Sequence, residues 1–327
     1  MSQAERLVTT GKFQYLRPSA ESSLYRNGKV LIQRDERGNS SQYTGVDLEE
    51  KLLEVNDARQ LPNAERRTLH TNGFELVERP FTRANFDFMD HAQVVTHYYP
   101  DCVDLVQELT QARHVHAFDH NVRSAGGKRS EARITGGQHV QGPAHVVHGD
   151  YTLTSAPTRL DDLARPPTSN DTFRMLTGDN TPLLDPDVTS GPLERGERFA
   201  IINVWRNIAD EPVATHPLAL CDAQSFAPKD LVVFEIHYPE RVGENYFAKY
   251  DADHRWYFYP SMKPSEALLI KQWDSDGSLA SSRGESPDSA SPDAPSTFSF
   301  HSAFEDPATA DDAPDRWSIE VRCIVVY

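Results

Sequence analysis

Short strand-like runs dominate the chain from residue 145 onwards and restrict the folds open to it. About eight such runs, rich in aromatic and β-branched residues, are separated by Pro, Gly, Asp and Asn. They lie at 145–148, 199–205, 231–236, 246–250, 255–259, 267–273, 297–301 and 318–327. Many short strands divided by turn residues predict a mainly β protein, which is a sandwich, a jelly roll or a barrel.

The earlier part of the chain adds a hairpin, a helix and a further strand. Residues 29–39 change from an apolar run to a polar turn, which predicts a short hairpin. Residues 100–110 carry one apolar stripe behind an initial Pro and Asp, which predicts a helix. Residues 114–120 alternate as a strand does. We expect an N-terminal extension, 1–70, that packs on a core domain, 71–327.

The charge of the chain is strongly negative and unevenly placed. The net charge of the 327 residues is −16, and half of it lies in residues 274–316. This balance excludes a general nucleic-acid binder, because such proteins need a basic face. Within the acidic region, residues 276–296 are rich in Ser, Pro and Asp, which predicts a flexible loop. One hypothesis is that this loop acts as a lid over a site.

Cysteine usage and hydropathy indicate where the protein works. The three Cys residues form no CxxC pair and no even disulfide framework, as expected in a reducing compartment. No run approaches the roughly 18 apolar residues of a membrane span, and the first residues lack the pattern of a signal peptide. We therefore expect a cytoplasmic protein.

A candidate metal site begins at His148-Gly149-Asp150. On an extended strand, His148 and Asp150 share one face, so both can bind the same ion. His301 follows 153 residues later, near another predicted strand. Two His and one carboxylate form the facial triad of non-haem Fe(II) enzymes, which leaves three metal positions open. The alternative is that His148 and Asp150 are an ordinary surface pair or turn.

Two arginines near the end of the chain are candidates for binding an anionic co-substrate. Arg316 and Arg322 share one face of the last predicted strand with Glu320. A guanidinium group can hold a carboxylate through two parallel hydrogen bonds. The alternative is that either arginine forms an ion pair. Arg316 would then pair with Glu320 or another acid, and Arg322 would form a buried ion pair among apolar neighbours.

Five further residues are candidates for lining a substrate pocket: His120, Arg123, Asn203, Trp205 and Arg206. Each follows or lies within a predicted strand. The alternatives are that Trp205 is a core residue and that His120 is a hydrogen-bonded structural residue. His145 precedes His148 by three positions and so lies on the opposite strand face, which argues against it as a metal ligand.

Several phrases of the chain together resemble one protein family. The phrases are 118–123, 147–152, 203–206, 256–262, 269–275, 301–307 and 315–322. They resemble the AsaB-like family of fungal and bacterial hydroxylases and desaturases, which has the cephem 7α-hydroxylase component and gibberellin desaturase as relatives. The likeness extends from about residue 70 to the end of the sequence.

The resemblance implies a double-stranded β-helix (jelly-roll, cupin-like) core and an Fe(II)/2-oxoglutarate-dependent dioxygenase. It implies that His148, Asp150 and His301 bind Fe(II) and that Arg316 and Arg322 bind 2-oxoglutarate. With O2, such an enzyme hydroxylates or desaturates a small-molecule secondary metabolite through a ferryl species and releases succinate and CO2. The expected partner is that natural-product substrate, with neither nucleic acid nor membrane, and a homodimer is one assembly the chain could form.

Three other interpretations stay open from the residues alone. A cupin-like metal enzyme that does not use 2-oxoglutarate would keep the His/Asp cluster but give the two arginines no role. A zinc hydrolase would also use His and Asp, although the chain has no HExxH motif. A non-catalytic jelly-roll binding module would need no metal.

Overall fold

Strands form most of the regular structure in the computed structural model, which describes residues 8–34, 40–168, 171–239 and 241–327. The strands are β1 (Val8–Leu16), β2 (Leu31–Arg34), β3 (Ser40–Thr44), β4 (Leu48–Asp57), β5 (Phe74–Glu78), β6 (His114–Arg123), β7 (His148–Gly149), β8 (Phe199–Asn207), β9 (Leu218–Cys221), β10 (Leu231–His237), β11 (Val242–Ala248), β12 (Trp256–Phe258), β13 (Glu266–Asp274), β14 (His301–Ala303) and β15 (Ser318–Val326). The helices are α1 (His91–Gln93), α2 (Tyr99–Thr110), α3 (Ala125–Arg129), α4 (Ser155–Leu163), α5 (Arg174–Thr177), α6 (Pro186–Arg195) and α7 (Ser278–Ser281). None of the helices in these described ranges is both long enough and apolar enough to cross a membrane.

The strands form two sheets that share one apolar core. In the described residues, the larger sheet has ten strands in the order β1-β4-β12-β9-β14-β7-β11-β10-β2-β3, and the smaller has five in the order β5-β13-β8-β15-β6. One buried cluster joins Val233 and Trp256 of the larger sheet to Ile201 and Ile324 of the smaller. The inner faces of the two sheets therefore pack together. The prediction of a mainly β fold with flanking helices is confirmed.

The strand β8 shows how the smaller sheet divides its side chains between two environments. Ile202 and Val204 belong to a cluster that includes Leu105 of α2. Ile201 belongs to the core between the sheets. Because side chains alternate along a strand, Asn203 shares the inner side with Ile201. Both faces of β8 are buried, so its polar side chains need partners inside the protein.

Helix α2 covers the outer face of the smaller sheet, where the predicted helix at 100–110 is confirmed. A π-helix, Val94–Tyr98, leads directly into α2, so Pro100 and Asp101 lie just after the junction of the two helical segments and not at a free helix start. The helix ends at Gln111, which adopts a left-handed conformation. Its buried residues, such as Val106, pack on the sheet.

The predicted N-terminal extension, 1–70, supplies strands to the larger sheet instead of packing outside it. β1 pairs with β4 along its whole length, β4 pairs with β12, and β2 pairs with β10 near the other end of the sheet. Phe13 and Tyr15 are fully buried in the core. The predicted hairpin is present as β2 and β3, although residues 35–39 lie outside the described part of the chain. Polar residues on the exposed faces of β1 and β4 conceal their strand pattern.

The segment 276–296 was expected to be a flexible loop, but the structure shows it folded. It contains α7 and a 3₁₀ turn at Asp288–Ala290. Leu279 is fully buried in the core between the sheets. The Asp288 carboxylate accepts hydrogen bonds from the Leu279 N–H (3.0 Å) and from the N–H (2.6 Å) and hydroxyl (2.8 Å) of Thr297. One apolar side chain and one buried carboxylate anchor a segment whose average composition is that of a disordered chain.

Replacing Asp288 with alanine is expected to lower the free energy of unfolding by about 2–4 kcal/mol, because buried donors that lose their acceptor cost about 1–3 kcal/mol each. Urea unfolding followed by circular dichroism measures the change. Asp293→Ala is the matched control, since Asp293 lies in the same segment but is exposed, and its effect should stay within about 0.5 kcal/mol. Equal stabilities of the two variants would contradict a folded segment.

Candidate metal centre

The pairing of β7 with β14 brings together two histidines that lie far apart in the sequence. His148 begins β7, His301 begins β14, and the two residues are directly opposite each other in the antiparallel pair. Their ring centroids are 4.3 Å apart. Asp150 follows β7, and its Oδ1 lies 3.7 Å from His148 Nε2 and 4.0 Å from His301 Nε2. The three side chains offer one ligand atom each, all within 4.8 Å of one another.

Backbone carbonyls turn both imidazole rings toward the same point. His148 Nδ1 lies 2.8 Å from the carbonyl oxygen of Val146, and His301 Nδ1 lies 3.5 Å from that of Ser299. An Nδ1–H that donates to a carbonyl leaves the Nε2 lone pair free for a metal. Burial, reinforced by the neighbouring His301, lowers the pKa of His148 to about 4. The neutral ring is the form that binds metal ions.

The two carboxylate oxygens of Asp150 have different surroundings. Oδ1 faces the two histidines. Oδ2 accepts hydrogen bonds from Arg322 Nη2 (3.2 Å), Arg322 Nε (3.3 Å) and Asn203 Nδ2 (3.2 Å). Burial alone would raise the pKa of Asp150, but the Arg322 guanidinium, the two histidines and the Asn203 hydrogen bond together outweigh burial and lower the pKa. Asp150 is therefore ionised and presents a single oxygen to the position between the histidines.

Gly149 lets the strand pass close to a buried aromatic ring. A Cβ atom added at Gly149 would lie 2.8 Å from Cε2 of Phe298, closer than a real Cβ contact allows. Phe298 is fully buried and stacks on Tyr246, so it cannot move aside cheaply. The residue between His148 and Asp150 therefore has to be glycine for the two ligands to keep their places.

A small cavity, with about 20 Å³ of room for water-sized molecules, opens beside the two histidines. Its lining combines charged, aromatic and small side chains: Arg123, Ala144, His148, Trp205, Leu218, His301, Ala303, Arg316 and Glu320. No residue of the segment 276–296 is among them, so the structure gives the lid hypothesis no support. The cavity lies directly beside the candidate ligands His148 and His301.

Arg316 lies in the cavity wall without an anionic partner within hydrogen-bond distance in the described structure. It is 3% exposed, its Nη1 donates to the carbonyl of His216, and its Nε has no hydrogen-bond partner. Burial, aided by the nearby Arg123 charge, lowers its pKa to about 9. A buried guanidinium with a free donor fits a carboxylate ligand.

Arg322, in contrast, is occupied by protein carboxylates and does not line the cavity. Besides Asp150, it donates through Nη1 to Asp119 Oδ2 at 2.9 Å, and Nη2 lies 3.6 Å from Glu320 Oε1. Of the two interpretations left open for Arg322, the structure shows the buried ion pair. The two predicted co-substrate arginines thus have different surroundings.

The five predicted pocket residues fall into two groups, those on the inner face of the smaller sheet and those on its outer face. Trp205 and Arg123 line the cavity, and Asn203 lies on the same inner face but contacts Asp150. Contrary to prediction, His120 and Arg206 face the helices on the other side of the smaller sheet.

Hydrogen bonds fix both of these outward-facing residues away from the cavity. His120 Nδ1 lies 2.8 Å from the Tyr99 hydroxyl, and its ring stacks on His91. Arg206 Nε donates to the Tyr98 hydroxyl at 2.9 Å. The cause is strand alternation, because His120 and Arg206 pair with Val321 and Ile319, which also face outward.

Two polar residues near Asp150 were missed from the sequence. Asp119 lies beside Arg322 because β6 and β15 pair residue 119 with residue 322. Gln272 Oε1 accepts the backbone N–H of Asp150 at 3.2 Å. Alternation places Asp119 on the face of β6 opposite His120. Assigning that face to the interior would therefore have identified Asp119 as a residue near the site. Gln272 lies where the register of β13 against β8 shifts, and no sequence signal marked it.

The fold and the site together describe a mainly β protein with a candidate His/Asp/His metal site, a donor set typical of non-haem Fe(II) oxygenases. Comparison with known proteins supports the same class. A sequence model of the family described as "Oxidoreductase/YMDC permease-like domain" matches residues 13–177 and 184–326. The chain belongs to this oxidoreductase family.

Individual relatives indicate which kind of oxidoreductase the chain resembles. The chain is 43% identical over 194 residues to an uncharacterized protein in the dcmA 3'region of Methylophilus leisingeri, covering 59% of this chain and 88% of that protein. It is 28% identical to the hydroxylase/desaturase efuI of Hormonema carpetanum, covering 84% and 82%. A solved structure of the iron and alpha-ketoglutarate-dependent endoperoxidase NvfI superposes with a TM-score of 0.72 at 25% identity, covering 99% of each chain.

These findings confirm the resemblance to the hydroxylase/desaturase family. The chain is a non-haem Fe(II)/2-oxoglutarate-dependent oxygenase, and the prediction of Fe(II), 2-oxoglutarate and O2 is confirmed. They do not support a zinc hydrolase, a metal enzyme that does not use 2-oxoglutarate, or a non-catalytic module.

Proposed function

We propose that this chain hydroxylates or desaturates a small-molecule secondary metabolite, with Fe(II) bound by His148, Asp150 and His301. The observation that carries the proposal is the convergence of these three side chains, with ligand atoms within 4.8 Å of one another, beside a cavity lined by Arg316, whose buried Nε has no hydrogen-bond partner. The two facing sheets support a double-stranded β-helix as the architecture that holds the site.

The residues present fit both groups that the reaction needs. Two neutral imidazoles and one carboxylate form a donor set suited to Fe(II). The orphaned, buried Nε of Arg316 fits the distal carboxylate of 2-oxoglutarate. We assign that carboxylate to Arg316 and not to Arg322, because the donors of Arg322 already contact Asp119 and Asp150.

The chain contributes binding, orientation and exclusion of water. When bound, Fe(II) and 2-oxoglutarate supply the oxidising chemistry that removes hydrogen from the substrate, with O2 consumed and succinate and CO2 released. Arg316 orients the co-substrate from the cavity wall, and Trp205, over whose ring the Arg316 guanidinium carbon lies at 5.7 Å from the centroid, restricts its side chain. Leu218 and Ala303 add apolar surface that limits water beside the metal position.

The cellular setting of the enzyme is part of the proposal. A cytoplasmic location is supported by three free, buried cysteines. The net charge of −16 supports a small molecule as the substrate in preference to nucleic acid. A homodimer is compatible with the chain, and sedimentation of the purified protein would test it.

Anaerobic spectroscopy tests the proposed function. Adding Fe(II) and 2-oxoglutarate should produce the weak visible charge-transfer band of a chelated complex, and admitting O2 should then release succinate and CO2. Succinate in place of 2-oxoglutarate is the control and should give no band, because it lacks the keto oxygen. Absence of the band in the wild type, or its persistence in His148→Ala, would refute the proposal.

A further inference from the structure

The Arg322 guanidinium lies between two carboxylates that it separates. Its Nη1 donates to Asp119 Oδ2 at 2.9 Å, while Nη2 and Nε lie 3.2 and 3.3 Å from Asp150 Oδ2. Its side chain is 13% exposed. Asp119 therefore fixes the guanidinium from one side, and the guanidinium fixes Asp150 from the other. This arrangement leaves the donors of Arg322 occupied by protein.

The contacts of Asp150 are concentrated on one of its two oxygens. Oδ2 has three donors, two from Arg322 and one from Asn203. Oδ1 faces His148 and His301 at distances too long for hydrogen bonds. An oxygen surrounded by three donors is not available as a second metal ligand unless those hydrogen bonds break.

The backbone at Asp150 gives little restraint of its own. β7 consists of two residues and ends at Gly149, so Asp150 lies beyond the ladder. Gln272 of β13 accepts its N–H, and Asn203 of β8 reaches its carboxylate. Three strands of the smaller sheet, β8, β13 and β15, thus hold a residue that belongs to the larger sheet. Side-chain contacts across the core, not strand pairing, determine where the carboxylate points.

We infer that Arg322 and Asn203 are positioning residues that restrict Asp150 to one metal ligand, Oδ1. The inference rests on the proposed metal site at His148, Asp150 and His301. A carboxylate that binds through one oxygen keeps three positions of a six-coordinate ion open, as the co-substrate and O2 require. Changing a group that orients a metal ligand from outside typically costs about 10–100-fold in metal affinity.

The affinity for Co(II), measured without 2-oxoglutarate, tests this role apart from activity. Arg322→Gln should weaken Co(II) binding by about 10–100-fold, whereas the control variant Arg206→Gln should change it by less than about twofold. Arg206 is also a buried arginine, but it donates to the Tyr98 hydroxyl on the other side of the smaller sheet and does not contact Asp150. The visible Co(II) spectrum should change in Arg322→Gln alone, since Asp150 can then offer its second oxygen.

Asn203→Ala keeps the inference testable if Arg322→Gln does not fold, because it removes one donor to Oδ2 and no charge. It should weaken Co(II) binding and shift the spectrum in the same direction by a smaller amount. If Arg322→Gln folds and keeps the wild-type Co(II) affinity and spectrum, the inference is wrong. If Arg322→Gln is unfolded, the same result in Asn203→Ala overturns the inference. Either result leaves the proposed function standing. Unchanged Co(II) affinity in His301→Ala would instead overturn the proposed metal site.

Discussion

Replacing His301 with alanine is expected to weaken Fe(II) binding by more than about 100-fold, since a change outside the ligand shell already costs 10–100-fold. The imidazole would supply one of the three ligand atoms, and its Nε2 lies 4.0 Å from Asp150 Oδ1. The charge-transfer band with 2-oxoglutarate and the release of succinate should both be lost. Equilibrium Fe(II) binding under anaerobic conditions measures the effect.

His120→Ala is the matched control for this experiment. His120 and His301 are equally buried, each 4% exposed, but His120 contacts Tyr99 on the opposite face of the smaller sheet. It should lose stability and keep Fe(II) affinity. If both variants lost Fe(II) equally, the loss would reflect general unfolding and the assignment of His301 as a ligand would fail.

Replacing Arg316 with glutamine is expected to raise the KM for 2-oxoglutarate by roughly 30- to 700-fold. Truncating one partner of a buried, hydrogen-bonded charge pair costs about 2–4 kcal/mol, and each 1.4 kcal/mol is tenfold in affinity. The KM for the organic substrate should change far less, because the cost falls on the co-substrate carboxylate. Succinate formation at varied 2-oxoglutarate concentration measures it.

Arg206→Gln provides the comparison for Arg316→Gln. Arg206 is also a buried arginine, 1% exposed, but it donates to the Tyr98 hydroxyl and to the carbonyls of Arg79 and Pro264. Its loss should lower the melting temperature and leave the KM for 2-oxoglutarate unchanged. An unchanged KM in Arg316→Gln would place the co-substrate carboxylate on another group.

The shared orientation of the candidate ligands His148 and Asp150 could be predicted from the sequence because it depends on a local rule. Strand alternation puts His148 and Asp150 on one face, and a distal His in a strand-rich chain completes a known donor set. The same rule put Arg316, Glu320 and Arg322 on one side of the last strand. The charged motif near the end of the chain was therefore recognisable without coordinates.

Register between distant strands could not be predicted in the same way. Arg322 meets Asp119 because β6 pairs with β15, and that ladder shifts register directly after Arg322. No local pattern reports such a shift, so the sequence could not separate the roles of Arg316 and Arg322. Whether Asp119 or His120 faces the site likewise depends on which face of β6 packs against α2. Leu279 and Asp288 anchor the segment 276–296, and its average composition does not report their contacts.

The position of β15 has a consequence for how the enzyme is assembled. It is the last strand of the described chain, yet it lies between β8 and β6 in the middle of the smaller sheet. Until β15 is inserted, β6 has no neighbour in that sheet, and the site lacks the arginine that holds Asp150. Contacts between residues this far apart in sequence form late and slowly. Insertion of β15 therefore completes the smaller sheet and the contacts that hold Asp150 at the same time.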